Sequence, residues 1–129
     1  MIFIDSSYLV ALLNDRDQFH EKAKKIESKI RKEKKIISSV ILTETLNILS
    51  VFGGKTGKII YNLINETHTI KYNSNKDFYD KVLEIFIKYD GTIGFSDCTS
   101  ICIMKENNIT KIVSFDSDFD KVNEIRRIY

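Results

Sequence analysis

Apolar positions along this chain fall into two patterns, short unbroken runs and longer stretches spaced three and four apart. Ile2-Phe3-Ile4 is a short run with β-branched residues and reads as a buried strand. Tyr8 to Leu13 reads as a short helix. Phe19, Ala23, Ile26 and Ile30 share one face of residues 18–34, the mark of an amphipathic helix, and Asp17 stands where a cap would. Lys35-Ile36-Ile37-Ser38 reads as a second strand. Ser38 or Ser39 can cap the next helix, which runs to about Phe52 and is apolar nearly all round. Gly53-Gly54 ends it. Residues 56–65 form another helix, and Thr67 to Tyr72 alternate like a strand. A helix at 76–89, capped by Asn75 and striped by Phe78, Val82, Phe86 and Tyr89, precedes one at 95–107. The pattern closes with a strand at Lys111-Ile112-Val113-Ser114, a helical turn near 117–122 and a strand at 126–128.

Short strands alternating with helices in 129 residues predict one α/β domain over 1–129. Its central, mostly parallel sheet has four or five strands and helices on both faces. Such sheets bind ligands beyond the carboxyl ends of their strands. Composition changes little: 43% apolar and 29% charged residues are ordinary for one hydrophobic core. No apolar run is long enough to span a membrane, and no basic leader opens the sequence, so the expected location is the cytoplasm. Cys98 and Cys102 share one helix face without a second pair, which argues against a disulfide framework or a zinc site. His20 and His68 are isolated and read as packing or surface residues. Gly53-Gly54-Lys55-Thr56 looks like the end of a phosphate loop, but Leu49 stands where that loop needs glycine.

Charge adds more. The net charge is only +2, yet residues 21–35 are strongly basic and the remainder is acidic. Glu21–Lys25 and Glu27–Arg31 have the spacing of helix ion pairs, which would make the stretch a solvated face. The other reading is a stripe for RNA phosphates, with Lys24, Lys25 and Lys32 as its contacts.

The acids are placed where the fold expects chemistry. Asp5 follows the first strand directly, and Asp116 and Asp118 follow the strand at 111–114. Glu44 lies in the helix after the second strand, among Val40, Ile41, Ile48 and Val51. Asp97 lies in the first turn of its helix. Asp5, Asp97, Asp116 and Asp118 each have a structural explanation alone, Asp5 as a cap for the helix that follows it, whereas Glu44 is the hardest to explain so, because its helix has few polar positions. Together they would repel unless one took up a proton or a cation joined them. A ligand set of oxygen alone favours Mg²⁺ or Mn²⁺.

Asp5-Ser6-Ser7-Tyr8-Leu9 after an apolar strand, Thr43-Glu44, Phe95-Ser96-Asp97-Cys98, and Ile112-Val113-Ser114-Phe115-Asp116-Ser117-Asp118-Phe119 resemble, in order and spacing, the acidic motifs of PIN-domain nucleases. Length and Phe19-His20-Glu21-Lys22-Ala23 make the chain most similar to the VapC-type toxins. The resemblance implies a PIN-like three-layer fold and a Mg²⁺-dependent endoribonuclease with Asp5, Glu44, Asp97 and a fourth acid as site residues. Asp5 and Asp97 would be the principal metal ligands, and Glu44 would hold a second ion or the attacking water. Asp116 would be the fourth acid, with Asp118 as the alternative. Ser6 and Ser114 would supply supporting hydroxyls. The family further implies a homodimer and a small protein antitoxin, with contacts expected on the apolar helices 40–52 and 56–65. The rival readings are a PIN nuclease of ribosomal RNA maturation and a non-catalytic binding module. A phosphoacceptor receiver fits less well, because Ser6 and Ser114 stand where it needs an acid and a lysine.

Overall fold

The computed structural model describes residues 1–129. Its strands are β1 (Ile2–Ile4), β2 (Lys35–Ser38), β3 (Thr69–Lys71), β4 (Lys111–Val113) and β5 (Arg126–Ile128). The helices are α1 (Ser6–Leu13), α2 (His20–Ile30), α3 (Ser39–Leu49), α4 (Gly54–Thr67), α5 (Lys76–Lys88) and α6 (Phe95–Glu106), with 3-10 turns at Ser50–Phe52 and Ser117–Lys121. The sheet order is β3-β2-β1-β4-β5, and every neighbouring pair is parallel. Every residue of β1 is buried, so helices cover both faces of the sheet, as a parallel arrangement requires. The edge strands β3 and β5 are only partly buried. No helix is long and apolar enough to cross a membrane.

Register sets up the carboxyl edge. Ile4 pairs with Val113, so Asp5 and Ser114 leave the sheet side by side. The Asp5 amide still bonds the Val113 carbonyl at 3.0 Å, and the Ser114 amide bonds the Ile128 carbonyl at 3.1 Å. Arg127 steadies this edge. Its guanidinium grips both Asp120 oxygens, at 2.9 and 2.8 Å, donates to the Ser114 carbonyl at 3.2 Å and lies over the Tyr129 ring.

Local chemistry shifts several boundaries from the sequence expectation. α1 starts at Ser6 because the Asp5 carbonyl already accepts the Leu9 amide. α2 starts at His20, since Asp17 Oδ1 accepts the Phe19 amide at 2.8 Å and closes a turn before the helix rather than capping it. Gly53, at φ +89°, both ends the 3-10 turn and begins α4, so that helix is longer than expected. α3 buries one stripe, Ile41, Leu42, Thr45 and Leu49, and leaves Ile48 in solvent, as the 3-10 turn after it leaves Val51. The helix ion pairs also differ: Glu21 meets Lys24, whereas Glu27 takes Lys35 at 3.0 Å and the Tyr8 hydroxyl at 2.6 Å.

Ser38 ends β2 and caps α3. Its buried hydroxyl accepts the Ile41 amide at 3.1 Å. Ser38→Ala should therefore cost about 1 kcal/mol, seen in urea unfolding as a lower midpoint at unchanged slope.

Candidate functional site

Asp5 is the first residue beyond β1 and is only 3% exposed. It occupies the cap position of α1, yet its side chain makes no capping bond. Its Oδ2 instead accepts the Ser7 hydroxyl at 2.6 Å and the Ser114 hydroxyl at 2.7 Å. Those hydroxyls are themselves held, Ser7 Oγ by the Phe115 amide and Ser114 Oγ by the Asp116 amide, both at 3.0 Å. The two Oγ atoms lie 3.3 Å apart, but both hydrogens are committed to Asp5. Two amides thus feed two hydroxyls, and both hydroxyls feed one carboxylate oxygen. This is the polarity an ionised Asp5 needs. Burial still raises its pKa, outweighing the serine hydrogen bonds that lower it.

The other acids arrive from separate elements. Glu44 is half-buried on α3, and its Oε2 accepts the Ser6 hydroxyl at 3.0 Å. Asp97 lies in the first turn of α6, where free amides favour negative charge. Asp116 heads the 3-10 turn at Ser117–Lys121, and its Oδ1 accepts the Asp118 amide at 2.9 Å. Asp118 is bridged by Lys121 at 2.9 Å, and that lysine also donates to the Thr92 carbonyl.

Carboxylate oxygens of Asp97, Asp116 and Asp118 lie within 4.8 Å of one another. Asp5 and Glu44 fall outside that tight group. They share with Asp97 and Asp116 a cleft of about 610 Å³, also lined by Asp17, Gln18, Phe19, Asn47 and Phe115. Asp97 registers the crowding most strongly. Burial pushes its pKa up to about 7, reinforced by the charges of Asp5, Asp116, Glu44 and Asp118 in that order.

Asp5, Glu44, Asp97 and Asp116 therefore meet in one cleft, Asp118 stands beside it, and Ser6 and Ser114 bond Glu44 and Asp5 respectively. Lys24, Lys25 and Lys32 are exposed on or just after α2 and do not line the cleft. Ser7 was not anticipated. Its only sequence signal is its place two residues beyond Asp5, where the first turn of α1 folds back over the strand end. His20 bonds the Ala11 carbonyl, while burial pushes the His68 pKa down to about 4; neither lines the cleft. Cys98 and Cys102 are buried and free.

No lysine or arginine lines the cleft, so its negative charge is uncompensated from within. Its donor set is carboxylate and hydroxyl oxygen. Oxygen ligands at about 2.0–2.1 Å around Mg²⁺ stand at most about 4.2 Å apart, close to the span of the acidic group. The residues present fit a hard divalent ion.

Comparison with known proteins adds four findings. A family model described as the PIN domain matches residues 2–125. The chain is 26% identical over 121 residues to the 23S rRNA-specific endonuclease VapC20 of Mycobacterium tuberculosis, covering 92% of each. The crystal structure of that sarcin–ricin-loop-cleaving toxin superposes with a TM-score of 0.82 at 24% identity, covering 95% of both chains. A structure of VapBC2 from Rickettsia felis, bound to a DNA fragment from its promoter, gives a TM-score of 0.74 at 16% identity over 99% of this chain and 98% of that one.

The raised pKa of Asp97 fixes the sign of a stability effect. Well above pH 7 its carboxyl is ionised whether the chain is folded or not, so the folded state bears the full penalty of burial and repulsion. As pH falls toward the ordinary carboxylate range, the folded chain takes up a proton and the penalty is relieved. In EDTA, Asp97→Asn should melt roughly 3–6 °C higher than the parent near pH 8, and the gap should close steadily toward about pH 4.5. His68 acts in the opposite sense below its ordinary pKa of 6.5, but both proteins share it and it cancels in the difference. A gap independent of pH would mean that Asp97 carries no such penalty.

Proposed function

The chain belongs to the PIN-domain family, and from that premise we propose that it is a single-domain, metal-dependent endoribonuclease and the toxin of a toxin–antitoxin pair. One observation supports this above the others: carboxylates from five separate stretches of chain, Asp5, Asp17, Glu44, Asp97 and Asp116, share one cleft that has no cationic side chain. A hard divalent ion, Mg²⁺ or Mn²⁺, would supply neutralising charge for a phosphodiester and lower the pKa of a bound water.

Asp5 and Asp97 are the principal ligands in this reading. The two hydroxyls on Asp5 fix the direction of its carboxylate. Ser6 holds one oxygen of Glu44, which leaves the other to position the attacking water. Asp116 rather than Asp118 is the fourth acid, because Asp116 lines the cleft whereas Lys121 partly neutralises Asp118. The VapC20 relative acts on 23S rRNA, and we carry over ribosomal RNA as the substrate class and the cytoplasm as the place of action.

A cleft lined with acids repels RNA unless positive charge stands close by. α2 leaves the cleft just after Phe19, with Lys24 and Lys25 in its first turns and Lys32 in the turn just beyond its end. Lys25 and Lys32 form no ion pair, and Lys24 has only a loose one to Glu21 at 3.3 Å. Lys35 is excluded from this surface by its bond to Glu27. These lysines would track the RNA backbone. A homodimer partner and an antitoxin would cover the exposed apolar side chains of α3, α4 and the turn between them, notably Val51, Phe52, Ile59 and Leu63. Ile48 joins that surface to the acidic cleft, so a segment laid across it would also mask the site.

The purified protein should cut RNA in Mg²⁺ or Mn²⁺ and stop in EDTA. Asp5→Asn and Asp116→Asn should each lose roughly 100-fold or more, with native circular dichroism, and Asp118→Asn less than about 10-fold. Full activity in Asp5→Asn would refute the assignment. Reversing charge at Lys24, Lys25 and Lys32 together should weaken RNA binding and flatten its log–log salt slope by about 2; filter binding from low to high salt measures both. Expression in bacteria should arrest growth, and Asp5→Asn should relieve the arrest.

A further inference from the structure

We propose that Phe19 and Phe115 form a stacking platform for the base next to the cleaved phosphate, with Gln18 and Asn47 reading that base's edge. The inference rests on the nuclease reading above and concerns the same cleft.

Three rings run from the core to the cleft. Tyr8 is fully buried and lies 6.4 Å from Phe115, tilted by 40°. Phe115 stacks on Phe19 at 4.6 Å and 15°. Both phenylalanines are half-buried and line the cleft together with the carboxylates. Neither an ion site nor a phosphate gains from flat apolar surface. Of the parts of RNA, a base gains most, because every base has a stacking face.

The platform is tied to the acids. The Phe115 amide donates to Ser7 Oγ, the same hydroxyl that holds Asp5, so ring and carboxylate share one anchor. Phe19 is fixed from the other side, since its amide bonds Asp17 Oδ1 and the Asp17 amide bonds the Asn14 carbonyl. The backbone under Phe115 is thereby tied to Asp5, and that under Phe19 to the turn before α2. At about 610 Å³ the cleft lies in the range that takes ligands larger than an ion. Gln18 and Asn47 line it, and their side-chain amides each carry donors and an acceptor, the complement of a Watson–Crick edge. A base within a duplex has its faces stacked and its edge paired, so only an unpaired base can use this arrangement.

The test is a set of single-stranded oligonucleotides carrying the mapped cleavage site, in which the base on one side or the other of the cut is replaced by an abasic residue. Parent protein should cut one abasic substrate roughly ten-fold more slowly than the intact one. Phe19→Leu, which keeps an apolar side chain but no ring, should cut the intact substrate at that reduced rate and be indifferent to the missing base. Phe19→Tyr should restore the dependence. Mn²⁺ affinity without RNA should be the same in all three proteins. Gln18→Ala and Asn47→Ala should broaden the choice of base at that position. Equal cutting of intact and abasic substrates by the parent protein, or full base dependence in Phe19→Leu, overturns the proposal and leaves the nuclease reading standing. Failure of the parent protein to cut any RNA in Mg²⁺ or Mn²⁺ overturns both.

Discussion

A carboxylate almost out of water needs other donors in place of that water, and at Asp5 two serine hydroxyls offset part of what burial costs. Their geometry depends on the whole sheet. Ser114 is in reach because β1 and β4 are parallel and in register, and Ser7 because α1 begins one residue after Asp5. The amides that hold the hydroxyls are those of Phe115 and Asp116, just past the end of β4. A strand one residue longer would have drawn such amides into the ladder and left the serines without donors. The site is thus a consequence of where the pairing stops.

The same edge concentrates like charge. Asp5, Asp97 and Asp116 each stand at the start of a helix or helical turn, where free amides make one negative charge tolerable. What those amides cannot offset is burial together with the sum of the charges, and Asp97 shows it most clearly. The fully buried strand β1, the largely buried β2 and β4 and the helices packed on them supply the stability that tolerates this frustration. A chain selected for folding alone would have little use for such an edge.

Much of this was legible in the sequence because apolar runs mark buried strands, and a buried strand fixes which residue follows it. Asp5 and Asp116 were found that way. The edge strand β3 was harder to bound, since a partly solvated strand leaves a weaker pattern. Glu44 was flagged for the wrong local reason: Ile48 and Val51 looked like its core neighbours but are exposed, because spacing alone does not say which apolar face meets the core. Ser7 was passed over in favour of Ser6, as only the rotation of α1 about its axis decides which serine turns to Asp5 and which to Glu44. The partners of Lys35 and Asp118 come from tertiary proximity and turn geometry that no helix spacing encodes.

Glu27 ties three elements with one side chain, accepting the Tyr8 hydroxyl from α1 on one oxygen and Lys35 from β2 on the other. Ser6, Ser7 and Tyr8 are consecutive, so the residue that grips α2 adjoins those that steady Glu44 and Asp5. Loss of the Tyr8 hydroxyl would leave Glu27 with Lys35 alone and remove one tie between α2 and the turn of α1 that carries the two serines.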